Sequence, residues 1–184
     1  MCSSDLGGRI LASWFHYLRA ELLAKAGRVA DAIQCLDDTM AFIAETGEKS
    51  VAADVHRFKG TLLLQRQKNA PVPPLEEVEA VFLHGLRISR QHHAKMSELR
   101  SATGLACLLA QQGRFDEGHD LLRDVYDSLT EGFDAPDLVD ARRLIDYLAG
   151  AGLGAYPSSD VAGSALLPQN VAMAHQGTAG RALA

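Results

Sequence analysis

The 184-residue sequence lacks the signals of several protein classes. It has no run of about 18 uninterrupted apolar residues, so it predicts no membrane-spanning helix. Its three cysteines (Cys2, Cys35 and Cys107) show no CxxC spacing, which excludes the usual zinc signatures and a disulfide framework. The first apolar run is broken by charged residues and no basic segment precedes it, so we expect no signal peptide. A reducing, cytoplasmic location is the expectation that follows.

Positive charge is also scarce. The chain has 18 lysines and arginines against 23 aspartates and glutamates, a formal net charge of −5. Binding to a nucleic-acid backbone needs a basic surface, and attachment to an anionic membrane needs a block of like charge. The sequence has neither feature. We therefore expect no nucleic acid and no membrane among its partners.

The two ends differ in composition from the rest of the chain. Residues 1–7 are interpreted as an adapter scar or as a disordered arm, because residues 2–6 resemble the in-frame translation of a common sequencing-adapter end. If they are a scar, the chain is a fragment whose parent carries its chemistry upstream. Residues 151–184 are rich in alanine, glycine and serine, which predicts a disordered tail. A docking peptide at residues 161–167 is the alternative.

The residues between these ends show the periodicity of helices. Apolar residues recur at spacings of three and four, which places them on one side of a helix, and no alternating pattern predicts a strand. One such stripe comprises Leu11, Phe15, Leu18, Leu22 and Leu23, and a second runs from Val29 to Ile43. Turn residues separate seven predicted helices, at about 8–26, 29–46, 49–68, 74–91, 95–112, 115–131 and 135–149. Pro74 is expected in a first helical turn, and Asp134 with Asp137 around Pro136 predicts a helix start.

A repeated pattern of small and large residues relates the helices in pairs. Small residues recur in the first helix of each pair, at Ala20, Gly60 and Ala106. Large residues recur in the second helix, at Leu36, Phe82 and Leu122. Gly27 and Gly113 occupy the same offset in the first and third pairs, as expected for turns that need a positive φ. The middle pair contains an insertion at residues 71–74.

This pattern is typical of tetratricopeptide repeats, although its spacing is looser than the usual repeat length. The predicted fold is all-α: a tetratricopeptide-like right-handed helical solenoid over residues 8–150, with about three helix pairs and a C-terminal closing helix. A plain helical bundle is the alternative, since both folds bury amphipathic helices. The matched small and large positions favour the solenoid.

Two parts of the chain carry a family resemblance, one at residues 56–64 and one spread over residues 98–138. Residues 56–64 read His-Arg-Phe-Lys-Gly-Thr-Leu-Leu-Leu, residues 98–106 read Glu-Leu-Arg-Ser-Ala-Thr-Gly-Leu-Ala, and residues 130–138 read Thr-Glu-Gly-Phe-Asp-Ala-Pro-Asp-Leu. Together with the repeat pattern, they resemble the C-terminal tetratricopeptide region of large bacterial signalling proteins. Those proteins combine an adenylate/guanylate cyclase domain or a DNA-binding domain with an AAA-type ATPase module. The resemblance covers about residues 10–149; Gly118 departs from it, at a position where alanine is usual.

The resemblance implies a regulatory region that binds a protein, a peptide or the upstream domains of the same polypeptide. In that family the catalytic and nucleotide sites lie upstream of the repeats, and this chain has no GxxxxGK[ST] phosphate loop. We expect no catalytic residue, no cofactor and no metal site in the chain. The seven histidines are interpreted as surface or capping residues, and Cys35 and Cys107 as small core residues. A sensor or oligomerisation region of an ATPase-containing transcriptional regulator and a free-standing adaptor remain open as alternatives.

A candidate partner-binding groove follows from the repeat assignment. In stacked repeats, the first helix of each pair lines a concave surface. The inward positions carried over to this sequence are Tyr17, Glu21, Lys25, Arg57, Thr61, Gln65, Arg100, Thr103 and Gln111. The alternative is that these side chains face solvent or contact the following helix.

Overall fold

The computed structural model describes residues 11–48, 50–66 and 74–150. These residues form seven α-helices and no strand, which confirms the all-helical prediction for this part of the chain. The helices are α1 (Ala12–Lys25), α2 (Val29–Thr46), α3 (Ala52–Arg66), α4 (Leu75–Gln91), α5 (Lys95–Gln111), α6 (Phe115–Asp127) and α7 (Pro136–Ala149). The predicted scar and tail, at residues 1–7 and 151–184, lie outside the described residues. Within those described ranges, no helix is both long enough and apolar enough to cross a membrane.

The chain divides into two compact units, with the boundary between Ser97 and Glu98 in the first turn of α5. In the first unit, α1 packs on α2 and α3 packs on α4, so each pair forms a helical hairpin, and α2 also packs on α3. In the second unit, Gly118 of α6 lies against Ala106 of α5, and α7 packs on α6.

Two hairpin turns have the same backbone geometry. Gly27 and Gly113 both have φ of 77°. The amide of each glycine donates to the carbonyl three residues earlier, and the following amide, of Arg28 or Arg114, donates to the carbonyl five residues earlier. This is the bonding that closes a helix through a left-handed residue, which glycine adopts without a steric penalty. The expectation of a positive φ at both positions is therefore confirmed.

The turn between α4 and α5 repeats this geometry without a glycine. His93 has φ of 53°, its amide donates to the carbonyl of Arg90, and the amide of Ala94 donates to the carbonyl of Ser89. A non-glycine residue in the left-handed region carries a steric cost because its Cβ approaches the backbone. His93 therefore occupies a position where Gly27 and Gly113 show the less strained choice.

The repeated small and large residues are buried, as their pattern predicted. Ala20, Ala106, Leu36, Phe82 and Leu122 are all 0% exposed, and Gly60 is buried. In the second hairpin the two classes touch directly, because a Cβ built on Gly60 would lie 2.7 Å from Cζ of Phe82. The helices therefore pack where the small residues allow close approach.

Two predicted helix starts differ in detail from the structure. The residue that caps α7 is Ala135, in an extended conformation and without a side-chain cap, while Pro136 takes the first helical position. Asp134 is thus not the cap, because the fixed φ of Pro136 already suits the first turn. Pro74 precedes α4 instead of lying in its first turn, and its carbonyl accepts from the amides of Glu77 and Val78.

The apolar stripe of α1 is largely exposed. Leu11, Phe15 and Leu22 are 53%, 62% and 67% exposed. The buried residues of α1 are Ser13, Tyr17 and Ala20, on the opposite side of the helix. Periodicity correctly identifies the residues that share a side, but the side that is buried is the one with Ser13, Tyr17 and Ala20.

Candidate functional site

Two predicted groove residues meet between the first helices of neighbouring hairpins. Nη2 of Arg57 on α3 donates to the hydroxyl of Tyr17 on α1 at 2.9 Å. The ring of Tyr17 also stacks on Trp14, with centroids 5.9 Å apart, and meets the edge of Phe58 at 5.8 Å. Tyr17 and Arg57 occupy the same repeat position, so one position joins two successive first helices.

A polar cluster surrounds this contact, and we define it as Tyr17, Glu21, Asp54, Arg57 and Ser97. Arg57 is 7% exposed, and its Nε lies 3.5 Å from Oδ1 of Asp54 without a hydrogen bond between them. Ser97 donates from Oγ to Oδ2 of Asp54 at 3.1 Å. The bond from Ser97 to Asp54 joins the start of α5 to the first turn of α3 within the first unit. The opposite charges of Asp54 and Arg57 attract each other within α3 itself.

The phenol of Tyr17 stays protonated at neutral pH. Burial raises the pKa of Tyr17 to about 12, and the neighbouring carboxylate of Glu21 adds to the rise, while the positive charge of Arg57 opposes it. A phenol with this pKa is a hydrogen-bond acceptor for Arg57 and not a general base. The contact therefore suits the positioning of α1 against α3.

The second unit contains a contact between α5, the first helix of its hairpin, and α7, the closing helix. Arg100 on α5 donates from Nε at 3.0 Å and from Nη2 at 2.8 Å, in both cases to Oδ2 of Asp137 on α7. Both side chains are partly exposed. Asp137 was expected to help start α7. It also accepts hydrogen bonds from Arg100 of α5, the first helix of the preceding hairpin.

The nine predicted groove residues fall into three groups. The four buried residues are Tyr17, Arg57, Thr61 and Thr103. The two partly exposed residues are Glu21 and Arg100, and the three exposed residues are Lys25, Gln65 and Gln111. Thr61 and Thr103 each donate to the carbonyl four residues earlier in their own helix. Tyr17 and Arg57 join α1 to α3. Because all four of these residues are buried, only the other five can contact a partner.

A pair of histidines in the second hairpin was not singled out in the sequence. The rings of His56 on α3 and His84 on α4 have centroids 4.3 Å apart. Burial, together with His84, Lys59 and Arg87, lowers the pKa of His56 to about 4. Burial and Arg87 also lower the pKa of His84, and Nη2 of Arg87 lies 2.9 Å from Nδ1 of that ring. Both histidines are therefore neutral at neutral pH.

The described cysteines are core residues, as predicted. Cys107 is 0% exposed, and burial raises its pKa to about 12. Cys35 is also buried, and burial raises its pKa, although the positive charge of Arg19 opposes the shift. Thiols in such surroundings are poor nucleophiles because the thiolate is disfavoured. Cys2 lies outside the described residues.

The side chains described do not assemble into a metal centre: among residues 11–48, 50–66 and 74–150, no three or more His, Cys, Asp or Glu side chains form a group that could hold an ion.

Comparisons of the chain with models of protein families, with curated proteins and with solved structures found no match.

The sequence contains a signal for only part of these unpredicted contacts. Asp54 and Arg57 are three residues apart on one helix, a spacing at which opposite charges meet. The bonds from Ser97 to Asp54 and from Arg100 to Asp137 join residues 43 and 37 positions apart. No local spacing indicates such pairs, since they depend on how helices that are distant in the sequence pack.

Proposed function

We propose that this chain is a protein-interaction and regulatory repeat region of a cytoplasmic bacterial signalling protein linked to a cyclase or an AAA-type ATPase. Its helical hairpins stack as a tetratricopeptide-like right-handed solenoid. It binds another domain or a peptide and catalyses no reaction itself.

Direct contact between first helices at one repeat position is the observation that carries this proposal. Tyr17 and Arg57 hold equivalent positions on α1 and α3, and they are joined by a hydrogen bond. A solenoid groove requires successive first helices to lie side by side, because those helices form its lining. The bond between Arg100 and Asp137 supports the same arrangement between α5 and α7 in the second unit.

The proposed contact surface lies toward the C-terminal ends of α1 and α3. Residues four and eight positions after Tyr17 and Arg57 share a helix side with them. The exposed or partly exposed residues at these positions are Glu21, Lys25 and Gln65. Their mixture of charge and amide groups suits a polar peptide segment or a domain surface with both charge signs.

The test starts from the complete reading frame that encodes this chain. The cyclase or ATPase domain encoded there is produced alone, and its binding to this chain is measured by isothermal titration calorimetry. Lys25→Glu should weaken binding about tenfold, because it reverses a charge on the proposed surface. Arg123→Glu makes the same charge change at an exposed position of α6, and we expect it to alter the affinity by less than about twofold.

Three results contradict the proposal. The first is that the upstream domain, produced at its full length, does not bind this chain and that this chain does not change the activity of the domain. The second is an equal effect of Lys25→Glu and Arg123→Glu. The third is turnover of a substrate by the isolated chain. A reading frame with an upstream DNA-binding domain supports the transcriptional-regulator alternative, whereas one that starts at Met1, stops at Ala184 and yields a stable monomer supports the adaptor.

A further inference from the structure

The exposed side of α1 corresponds to a side of α3 that is buried. An offset of 40 residues aligns the two helices, since Ala20 matches Gly60. The matches of the exposed residues Leu11, Phe15 and Leu22 are Val51, Val55 and Leu62, which are 3%, 0% and 1% exposed. One helix side is therefore apolar in both hairpins but covered in the second hairpin alone.

The contacts of α3 show what covers that side. Gly60 lies against Phe82 of α4, so it marks the side that faces the hairpin partner. Phe58, on the opposite side, meets Tyr17 of α1 at 5.8 Å between ring centroids. Lys59 forms an ion pair with Asp37 of α2. The apolar side of α3 thus faces the preceding hairpin, with a charge pair at its edge.

α1 has residues of the same types at the positions through which α3 contacts the preceding hairpin. Leu18 and Arg19 occupy the positions of Phe58 and Lys59. One stripe of α1 thus has three large apolar side chains that are each at least half exposed. Such a contiguous apolar surface is unusual for a monomeric protein in water. In repeat proteins, an outermost helix that ends an array presents a polar outer face. The outer face of α1 has the composition of an internal repeat.

We propose that the apolar side of α1, formed by Leu11, Phe15, Leu18 and Leu22, is a docking surface for one further amphipathic helix of the α2 type. That helix belongs to a preceding hairpin and presents an acidic side chain to Arg19, as Asp37 is presented to Lys59. The inference rests on the repeat architecture of the proposed function but not on its groove, so the two can fail separately.

The test duplicates the first hairpin within the full chain. Residues 11–50 are copied and inserted directly before Leu11. Because Leu11 matches Val51, the copied α2 then connects to α1 through the same linker that joins α2 to α3. Trp14 is the only tryptophan of the chain, so a Trp14→Phe change in the copy leaves the original Trp14 as the single fluorescent reporter.

Trp14 should become shielded in the extended chain. It is 44% exposed, whereas the side chain of Asp54, at the matching position of α3, is 20% exposed. We therefore expect the acrylamide quenching constant to fall about twofold and the emission to shift to shorter wavelength, because quenching follows the area open to solvent. Phe15→Glu at the original position, within the extended chain, should restore the quenching.

A second comparison needs no extended chain. In the original protein, Phe15→Glu and Leu22→Glu should leave the denaturation midpoint nearly unchanged, because the side is uncovered. Val55→Glu and Leu62→Glu at the matching positions should abolish folding, since they bury a charge. Circular dichroism measures the helix content and the denaturation midpoint of all four variants.

Several outcomes overturn the proposal. The extended chain overturns it if it leaves Trp14 fully quenchable or fails to fold. The original chain overturns it if its monomer already shields Trp14, or if Phe15→Glu unfolds it, because another part of the chain then covers α1. Association that increases with concentration, and that Leu22→Glu abolishes in light scattering, shows instead that a second copy occupies the surface.

Discussion

The first two hairpins solve the same packing problem with different pairs of side chains. The first has Ala20 on one helix and Leu36 on the other, whereas the second has Gly60 and Phe82 at the matching positions. All four residues are buried. In the second hairpin the phenyl ring occupies the space that a Cβ at Gly60 would need. The larger side chain on one helix is thus accompanied by a smaller one on its partner.

The difference shows that helix propensity yields to packing at this position. Alanine is favoured over glycine inside a helix by about 1 kcal/mol. Gly60 nevertheless lies in the interior of α3, between Ala52 and Arg66. The repeat pattern therefore constrains the combined volume of the two residues and does not fix the identity of either one.

Gly60→Ala has the largest expected effect among the changes that test this comparison. The new methyl group would lie 2.7 Å from the ring of Phe82, which is fully buried and has little room to move. Overpacking of this kind costs about 1–3 kcal/mol, so we expect the free energy of unfolding to fall by about 2 kcal/mol. Chemical denaturation monitored by circular dichroism measures the loss.

The matched background is Phe82→Leu, which gives the second hairpin the large residue of the first. In that background Gly60→Ala should be neutral or stabilising, because the clash is gone and alanine favours the helix. An equal cost of Gly60→Ala in both backgrounds would show that the two positions are not coupled.

The same two hairpins also differ in charge at a second pair of positions. The repeat offsets align His56 with His16 and His84 with Asp38. The second hairpin therefore places two histidines where the first has a histidine and an aspartate. Two protonated rings with centroids 4.3 Å apart would repel each other, whereas a carboxylate would favour protonation of its neighbour.

The histidine pair predicts a loss of stability in mild acid. The folded pKa of His56 is about 4, against an ordinary value of 6.5, mainly because of burial. A lowered folded pKa means that the unfolded chain binds the proton more readily. The contribution is therefore present above pH 6.5 and is lost as the pH falls toward 4. Because His56 is only partly buried and solvent screens its charge, we expect a loss of about 1–2 kcal/mol over this range.

Urea denaturation at several pH values measures this dependence. His56→Gln should flatten the curve between pH 6.5 and 4, because it removes the group that the unfolded chain protonates. His84→Asp supplies the second hairpin with the residue of the first and should raise the pKa of His56. A wild-type curve that is already flat, or a slope that survives His56→Gln, contradicts the assignment.

The sequence predicted which residues form helices better than it predicted which sides of the helices are covered. The predicted range of α2 matches the observed Val29–Thr46 at both ends, because Gly27 and Gly47 mark the turns. Periodicity also grouped Leu11, Phe15 and Leu22 correctly. It could not show that this stripe is exposed, since that depends on which neighbour each helix has.

The groove prediction shows the same limit. Repeat position correctly related Tyr17 to Arg57, but only the folded hairpins reveal that the two residues bond to each other and are buried. Asp54 and Ser97 belong to the same cluster through contacts distant in sequence. A pattern identifies equivalent positions; the stacking of particular side chains decides whether such a position contacts a partner or the protein itself.

The left-handed turns at Gly27, His93 and Gly113 give a smaller effect. Gly27→Ala and Gly113→Ala should each lower the free energy of unfolding by about 1 kcal/mol, because both residues have a positive φ and open space around the position of a Cβ. His93→Gly should act in the opposite direction and raise stability by about 0.5 kcal/mol, since glycine relieves the strain but also gains entropy in the unfolded chain. Thermal denaturation compares the three variants, and a loss of stability in His93→Gly would mean that the imidazole makes a compensating contact.

Gly118→Ala has the smallest expected effect, and it extends the comparison to the hairpin of α5 and α6. Gly118 matches Ala32 of the first hairpin, which is 0% exposed. A Cβ on Gly118 would lie 3.2 Å from the carbonyl oxygen of Ala106, a close contact with backbone that cannot rotate away. The helical preference for alanine, about 1 kcal/mol, opposes this contact, so we expect a net change within about 0.5 kcal/mol. Ala32→Gly has no such compensation and should cost about 1 kcal/mol. If Gly118→Ala instead destabilises as strongly as Gly60→Ala, the third hairpin is packed as tightly as the second, and the volume rule derived from Phe82 applies to backbone contacts as well.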